Sequence, residues 1–359
     1  MSRSDRLILD ADVHHMYASA DVITPYLQDP GALKEFPLGG AASSGVPNPH
    51  GTFRLDTVPP GGGPPGSDPA HLVADHLDRH DITYAILSPG STLGIGGLPD
   101  IDLACDIARA TNEWTIAEWF DVDERFLGSI LVNARDPQQA ADEIRRLGTH
   151  PRMVQVTINY APCLLGNRFM NPIYEACDEL GLPLNVHVGA WDMGINTGSI
   201  AVGHATGFVE QHFAICLPAI HNLVSVITEG VFVKYPNTKL ILSEFGMAWL
   251  PFVLWRLDME YRSTRDDVPW LTQLPSRYIR EFVRFTTQPL EEPEKPSDLV
   301  KLVEMIGCPE MLLFSSDYPH WDADNPEHAL RAFPEDWRRR IYYDNAHALF
   351  RLDERLAVA

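Results

Sequence analysis

Apolar positions in this chain alternate between two patterns: short continuous runs, and longer stretches in which apolar residues recur three and four positions apart. The first run is LILDADVHH, Leu7 to His15, where Asp10, Asp12 and His14 occupy every second position. A strand there carries all three side chains on one face. Ser19 to Leu27 reads as a short helix. Asp68 with Pro69 opens another, in which Leu72, Val73, His76 and Leu77 keep helical spacing. ITYAILSPG, RFLGSILVN, MVQVTIN and LPLNVHVG read as strands two to five. Between them lie a helix from Ile101 to Phe120, one framed by Asp136, Pro137 and Gly148, and one framed by Asn171, Pro172 and Gly181. TKLILSEFG, REFVRFTTQ and MLLFSSD supply strands six to eight. Helical spacing from Leu250 to Tyr261 and in KPSDLVKLVEMIG separates them, and the end of the chain is helical. This alternation predicts an α/β fold, a (β/α)8 TIM barrel forming a single domain over residues 1–359. An open doubly wound sheet is the alternative, but no glycine fingerprint follows the first strand.

One segment breaks the alternation. Residues 30–67, with GGAASSGVPNPHGTF and VPPGGGPPGSDP, are too rich in Gly and Pro for regular structure. An insertion of this kind after strand one reads as a lid or binding loop.

Composition narrows the function classes. Hydrophobic residues make up 45% of the chain and charged residues 21%, enough apolar material for a large core. The formal net charge of -21 argues against nucleic acid or an anionic membrane as partner. The N-terminus shows no apolar leader, and no run is expected to approach about 18 apolar residues. These features predict a cytoplasmic protein. Cys105, Cys163, Cys177, Cys216 and Cys308 are scattered without a CxxC pair, so neither a disulfide framework nor a cysteine-ligated metal is expected.

In such barrels the reactive groups sit at the C-terminal ends of the strands. Asp12 and His14 end strand one, His187 strand five, Glu244 strand six and Asp317 strand eight. Each alone fits a structural role, His187 in the core and the two carboxylates as helix caps. Together, imidazoles and carboxylates at one mouth make a donor set for a divalent ion. Asp10 is expected to lie a layer deeper and support the site. His320 reads as a supporting or solvated residue.

The chain resembles the amidohydrolase superfamily, in the group that contains aminocarboxymuconate-semialdehyde decarboxylase, from DADVHH to DNAHALFRL. The resemblance implies metal ligands at Asp12 and His14 (the family's HxH or ExH pair), at His187 in NVHVG and at Asp317 in SSDYPHWD. The implied cofactor is one divalent ion, Zn2+ or Mn2+. Two departures stand out: Asp12 replaces a histidine, and Glu244 stands where decarboxylating members keep one. The expectation is therefore a metal-dependent hydrolase of an amide, ester or thioester of a small acid, with Asp317 or Glu244 as general base and then acid. Non-oxidative decarboxylation of an unsaturated or aromatic acid is the alternative. Arg54, Trp191, His204 and His212 are candidate contacts to a small-molecule substrate. The resemblance also makes a homodimer an expectation.

Overall fold

The computed structural model describes residues 6–31, 48–159, 161–189, 206–307 and 309–357. Its strands are β1 (Leu9–His15), β2 (Tyr84–Pro89), β3 (Phe126–Leu131), β4 (Met153–Ile158), β5 (Leu184–His187), β6 (Leu240–Ser243), β7 (Val283–Thr286) and β8 (Leu312–Leu313). They follow one another in sequence order around one sheet, every neighbouring pair parallel. Past β8 the chain returns to β1: the Ala11 N–H donates to the Phe314 carbonyl at 2.8 Å, and the His14 N–H to the Tyr318 carbonyl at 2.7 Å. These bonds close the (β/α)8 barrel.

Helices α1 (Pro69–Leu72), α2 (Ile101–Glu118), α3 (Pro137–Leu147) and α4 (Asn171–Leu180) connect the first five strands. After β5 come α5 (Phe208–Phe213), α6 (Cys216–Thr228) and α7 (Val231–Lys234), then α8 (Leu250–Thr264), α9 (Pro275–Phe282) and α10 (Pro296–Ile306). The predicted Asp–Pro starts are real caps. The Asp68 carboxylate accepts the His71 N–H at 3.0 Å, and Asp136 accepts the N–H groups of Gln138 and Gln139. Asn171 is not a cap but the first residue inside α4. REFVRFTTQ is only partly strand: Pro275 starts α9, and Tyr278, Ile279 and Phe282 bury one helical face before β7 begins at Val283. By length and composition Phe208–Thr228 is apolar enough to cross a membrane, contrary to the expectation that no such run exists.

Strict alternation fails in β1. A register shift between Asp10 and Val13 lets Leu9 and Ala11 pack into the apolar floor with Ile86, Leu127, Val154, Ile241 and Leu313, while Asp12 still reaches the mouth two residues before His14. Asp10 therefore does not share the donors' face. Its carboxylate takes His76 at 2.8 Å and the Ser316 N–H at 2.8 Å, tying β1 to the turn after β8.

Residues 32–47 of the expected lid lie outside the described residues. Residues 48–67 are docked on the mouth: Phe53 bridges His320, the Arg54 N–H donates to the Pro319 carbonyl at 3.0 Å, and the Trp321 N–H donates to the Thr52 carbonyl at 3.1 Å. Gly66 seals the end of this segment. Its carbonyl accepts the Met16 N–H at 2.8 Å, its φ is +77°, and a Cβ there would lie 2.6 Å from the His14 carbonyl. Gly62 has φ +87° with nothing within 4 Å. Gly62→Ala should therefore cost only the left-handed backbone penalty of about 1–2 kcal/mol, whereas Gly66→Ala adds a backbone clash. Thermal melts are expected to rank wild type above Gly62→Ala above Gly66→Ala. Equal melts for the two variants would show that the segment is not seated on β1.

Candidate metal centre

The strand ends bring the expected donors together. His14 Nε2 lies 3.0 Å from Asp317 Oδ1, 3.3 Å from Glu244 Oε1 and 3.9 Å from Asp12 Oδ1. His187 Nε2 lies 3.1 Å from Asp12 Oδ2 and 3.4 Å from Glu244 Oε1. Two overlapping groups result, Asp12–His14–His187–Glu244 and His14–Glu244–Asp317–His320, with the ligand atoms of each within 4.8 Å of one another. Glu244, outside the ligand set that the resemblance implies, is thus also a potential ligand. His320 is the residue the sequence undervalued, since its Nδ1 is 2.5 Å from Asp317 Oδ1. Its position three residues after Asp317 in one tight turn was the available signal.

Backbone geometry aims two of these carboxylates. Glu244 and Asp317 both adopt left-handed conformations, with φ +68° and +60°, at the ends of β6 and β8. Such positions cost of the order of 1–3 kcal/mol each and persist where surrounding contacts hold them. Here the Glu244 N–H donates to Thr286 Oγ1 at 3.1 Å and the Asp317 N–H donates to the Asp12 carbonyl at 3.1 Å. The Ser88 hydroxyl donates to Asp12 Oδ1.

The electrostatics call for a cation. His187 Nδ1 sits 2.6 Å from the Val188 carbonyl, a contact that needs an N–H there and turns the Nε2 lone pair toward the two carboxylates. A lone pair facing carboxylate oxygens is stable only with a proton or a metal ion between them. Burial alone disfavours the charged imidazole, but Glu244 and Asp12 outweigh it and lift His187 well above the ordinary histidine range. Burial likewise raises the carboxyl groups, yet His187 and His14 hold Glu244 well below its ordinary value and Asp12 below its own. Asp317 goes the other way: burial, reinforced by Glu244 and Asp12, raises it well above the usual carboxylate range. Burial and His14 press His320 down to about 3, so it stays neutral. The charged groups setting these values are the donors themselves and Asp322. Three carboxylates and the imidazoles of His14 and His187 at one point make a donor set that fits a divalent ion.

The other expected contacts divide. His212 is at the mouth, its Nε2 3.6 Å from Asp322 Oδ2 and its ring 6.0 Å from Trp321. Trp321 stacks on His50 at 4.8 Å and meets Phe208 edge-on at 6.0 Å, while Phe53 stacks on His320 at 5.4 Å. Arg54 is not among the donors: its guanidinium grips both oxygens of Asp56, at 3.1 and 2.6 Å. Trp191 and His204 lie outside the described residues.

A closed parallel barrel with buried imidazole and carboxylate donors at the C-terminal mouth defines the metal-dependent barrel enzymes. The chain belongs to the amidohydrolase family, whose model matches residues 10–352. Gamma-resorcylate decarboxylase of Rhodococcus jostii (strain RHA1) is 26% identical over 297 residues, 77% of this chain and 86% of that protein. The structure of 5-carboxyvanillate decarboxylase from Sphingomonas paucimobilis superposes with a TM-score of 0.67 at 22% identity, covering 96% of this chain and 98% of that one. Dihydroxybenzoic acid decarboxylase from Polaromonas sp. JS666, solved with manganese and 2-nitroresorcinol, gives 0.67 at 20% identity, covering 98% and 99%. These relatives correct the expected hydrolase: they are decarboxylases, and acyl hydrolysis is not the reaction they support.

Two measurements test the centre. Asp12→Ala should purify with its divalent metal lost, and Ser88→Ala should bind metal about 10–100-fold more weakly, the usual effect of losing a ligand's hydrogen-bond partner. Full metal occupancy in Asp12→Ala would remove Asp12 from the ligand set. Because the metal displaces the proton held by His187, affinity should rise with increasing pH, by about tenfold per unit for the one proton displaced. Chelator competition at pH 6 and 8 measures the slope.

Proposed function

We propose that this enzyme catalyses the non-oxidative decarboxylation of a small aromatic or unsaturated carboxylic acid. The observation that carries the proposal is the match to gamma-resorcylate decarboxylase over 86% of that protein, by a chain whose barrel mouth gathers divalent-metal donors. The aromatic side chains at that mouth, Trp321, His50, Phe208 and Phe53, suit a planar substrate.

Asp12, His14, His187 and Asp317 would hold the ion, with Glu244 in reach of the same point. We assign Mn2+ ahead of Zn2+, because three carboxylates make a hard donor set. The bound ion supplies positive charge that accepts an anionic substrate and withdraws electrons from it. The chain's own residues supply the proton. As the carboxylate carbon leaves as carbon dioxide, its bond electrons stay on the substrate carbon, which needs one proton in its place. Asp317, raised by burial and by Glu244, is the carboxyl group suited to carry it. His320, 2.5 Å away, can pass a replacement from the aromatic-lined mouth.

Turnover in heavy water should release carbon dioxide and leave one deuterium on the vacated carbon, read by NMR and mass spectrometry. Oxygen-18 from labelled water in the product would overturn the reaction class. Asp317→Asn should lower kcat at least about 100-fold, and His320→Gln should lower it less.

A further inference from the structure

We infer that Asp322 selects the substrate at the mouth: it accepts a hydrogen bond from a hydroxyl or amino group on the substrate's ring and turns away an acid that bears a second carboxylate. The decarboxylase reading, on which this rests, accounts for the first carboxylate; Asp322 defines what the rest of the substrate carries.

Asp322 follows Asp317 by five residues and is held by the same turn as the donors. In that turn the His320 N–H donates to the Asp317 carbonyl at 2.9 Å, the Ala323 N–H to the His320 carbonyl at 3.1 Å and the Asp324 N–H to the Ser316 carbonyl at 2.8 Å. From the end of β7, Gln288 Nε2 donates to the Asp322 carbonyl at 3.2 Å, while the Gln288 N–H is fixed on Ser315 Oγ at 2.9 Å. The backbone is thus pinned, and the side chain keeps 23% of its surface open. Its charge reaches the centre: Asp322 helps raise Asp317, and Glu244 adds to the burial that raises Asp322. Aromatic surface flanks it. Trp321, the preceding residue, stacks on His50 and meets Phe208 edge-on, and His212 stacks on Phe208 at 5.3 Å.

Charge then decides what Asp322 can accept. Its one imidazole neighbour, His212, has Nε2 3.6 Å from Oδ2, beyond the about 2.7–3.2 Å of a formed N–H···O bond, so acceptor capacity is left over. With Asp322 ionised, the two together carry a charge of zero or minus one. Among the described residues no arginine or lysine is among the groups that set Asp322 or the metal donors. A second substrate carboxylate would therefore meet a like charge without a cation to share. A neutral O–H or N–H brings the donor that an anionic acceptor lacks, and a bond to a charged acceptor is the stronger kind.

The test uses the full-length enzyme loaded with Mn2+ and isothermal titration calorimetry. The probes are 2-hydroxybenzoates that carry hydroxyl, amino, hydrogen or carboxylate at carbon 4 or carbon 5. At one of these positions the hydroxyl or amino compound should bind wild type at least about tenfold more tightly than the carboxylate compound. Asp322→Asn, which keeps an acceptor oxygen without the charge, should gain severalfold in affinity for the carboxylate compound. Asp322→Ala should lose the preference for hydroxyl over hydrogen. Each ratio is taken within one protein, so a site merely damaged by substitution weakens every probe together and leaves the ratios in place. A wild type that binds the carboxylate compounds as tightly as the hydroxyl ones, that binds none of the probes, or whose ratios both substitutions leave unchanged overturns the inference. Binding is measured without turnover, so a failed ratio leaves decarboxylation standing, and absence of carbon dioxide release fails the reaction without touching the ratio.

Discussion

Three carboxylates held within about 4 Å of two imidazole nitrogens, beneath a docked loop, cannot share a buried space without positive charge among them. Among the described residues no arginine or lysine contributes to this balance; the Arg54 guanidinium is paired with Asp56. In the absence of metal, protons do this work, which is why His187 and Asp317 rise while Glu244 falls. With a divalent ion, two carboxylate charges are cancelled and the third carboxyl group can keep a proton. The same count therefore leads both to a metal and to an acid.

The barrel exists in a form that enforces this proximity. Closure between β8 and β1 runs through Asp12 and His14 themselves: the Asp12 carbonyl accepts Asp317 N–H, and the His14 N–H donates to Tyr318. Ligand spacing and barrel closure are thus one set of bonds. Asp10 extends the coupling outward through His76, which stacks on Tyr318 at 4.6 Å. Loosening any of these contacts would move a donor, so stability and metal geometry are linked here.

Most of the barrel and four of its donors were legible in the sequence because both depend on local pattern: apolar runs make parallel strands, and polar residues just past them must sit at the mouth. What was not legible depended on tertiary detail. The parity of Asp10, Asp12 and His14 suggested one shared face, but the register shift beside β2 separates Asp10 from the others. Arg280 to Phe282 belong to α9 because Tyr278, Ile279 and Phe282 find a buried face there, which a β-rich string of letters conceals. His320 was left between a supporting and a solvated role because nothing in the sequence announces that residues 50–54 fold back over it. The reaction was misjudged for a related reason: Glu244 was read as a base, while the geometry makes it an anion shared between His14 and His187.

That last point separates the two chemistries. Hydrolysis by activated water asks for a carboxylate that enters the cycle unprotonated and free to accept. Glu244 is held low by both imidazoles, whereas Asp317 is raised by burial and by its anionic neighbours. A carboxyl group raised in this way suits the delivery of a proton better than its uptake from water. The replacement of a family histidine by Glu244 then has a clear effect. It adds negative charge that, after burial, lifts Asp317 above the usual carboxylate range.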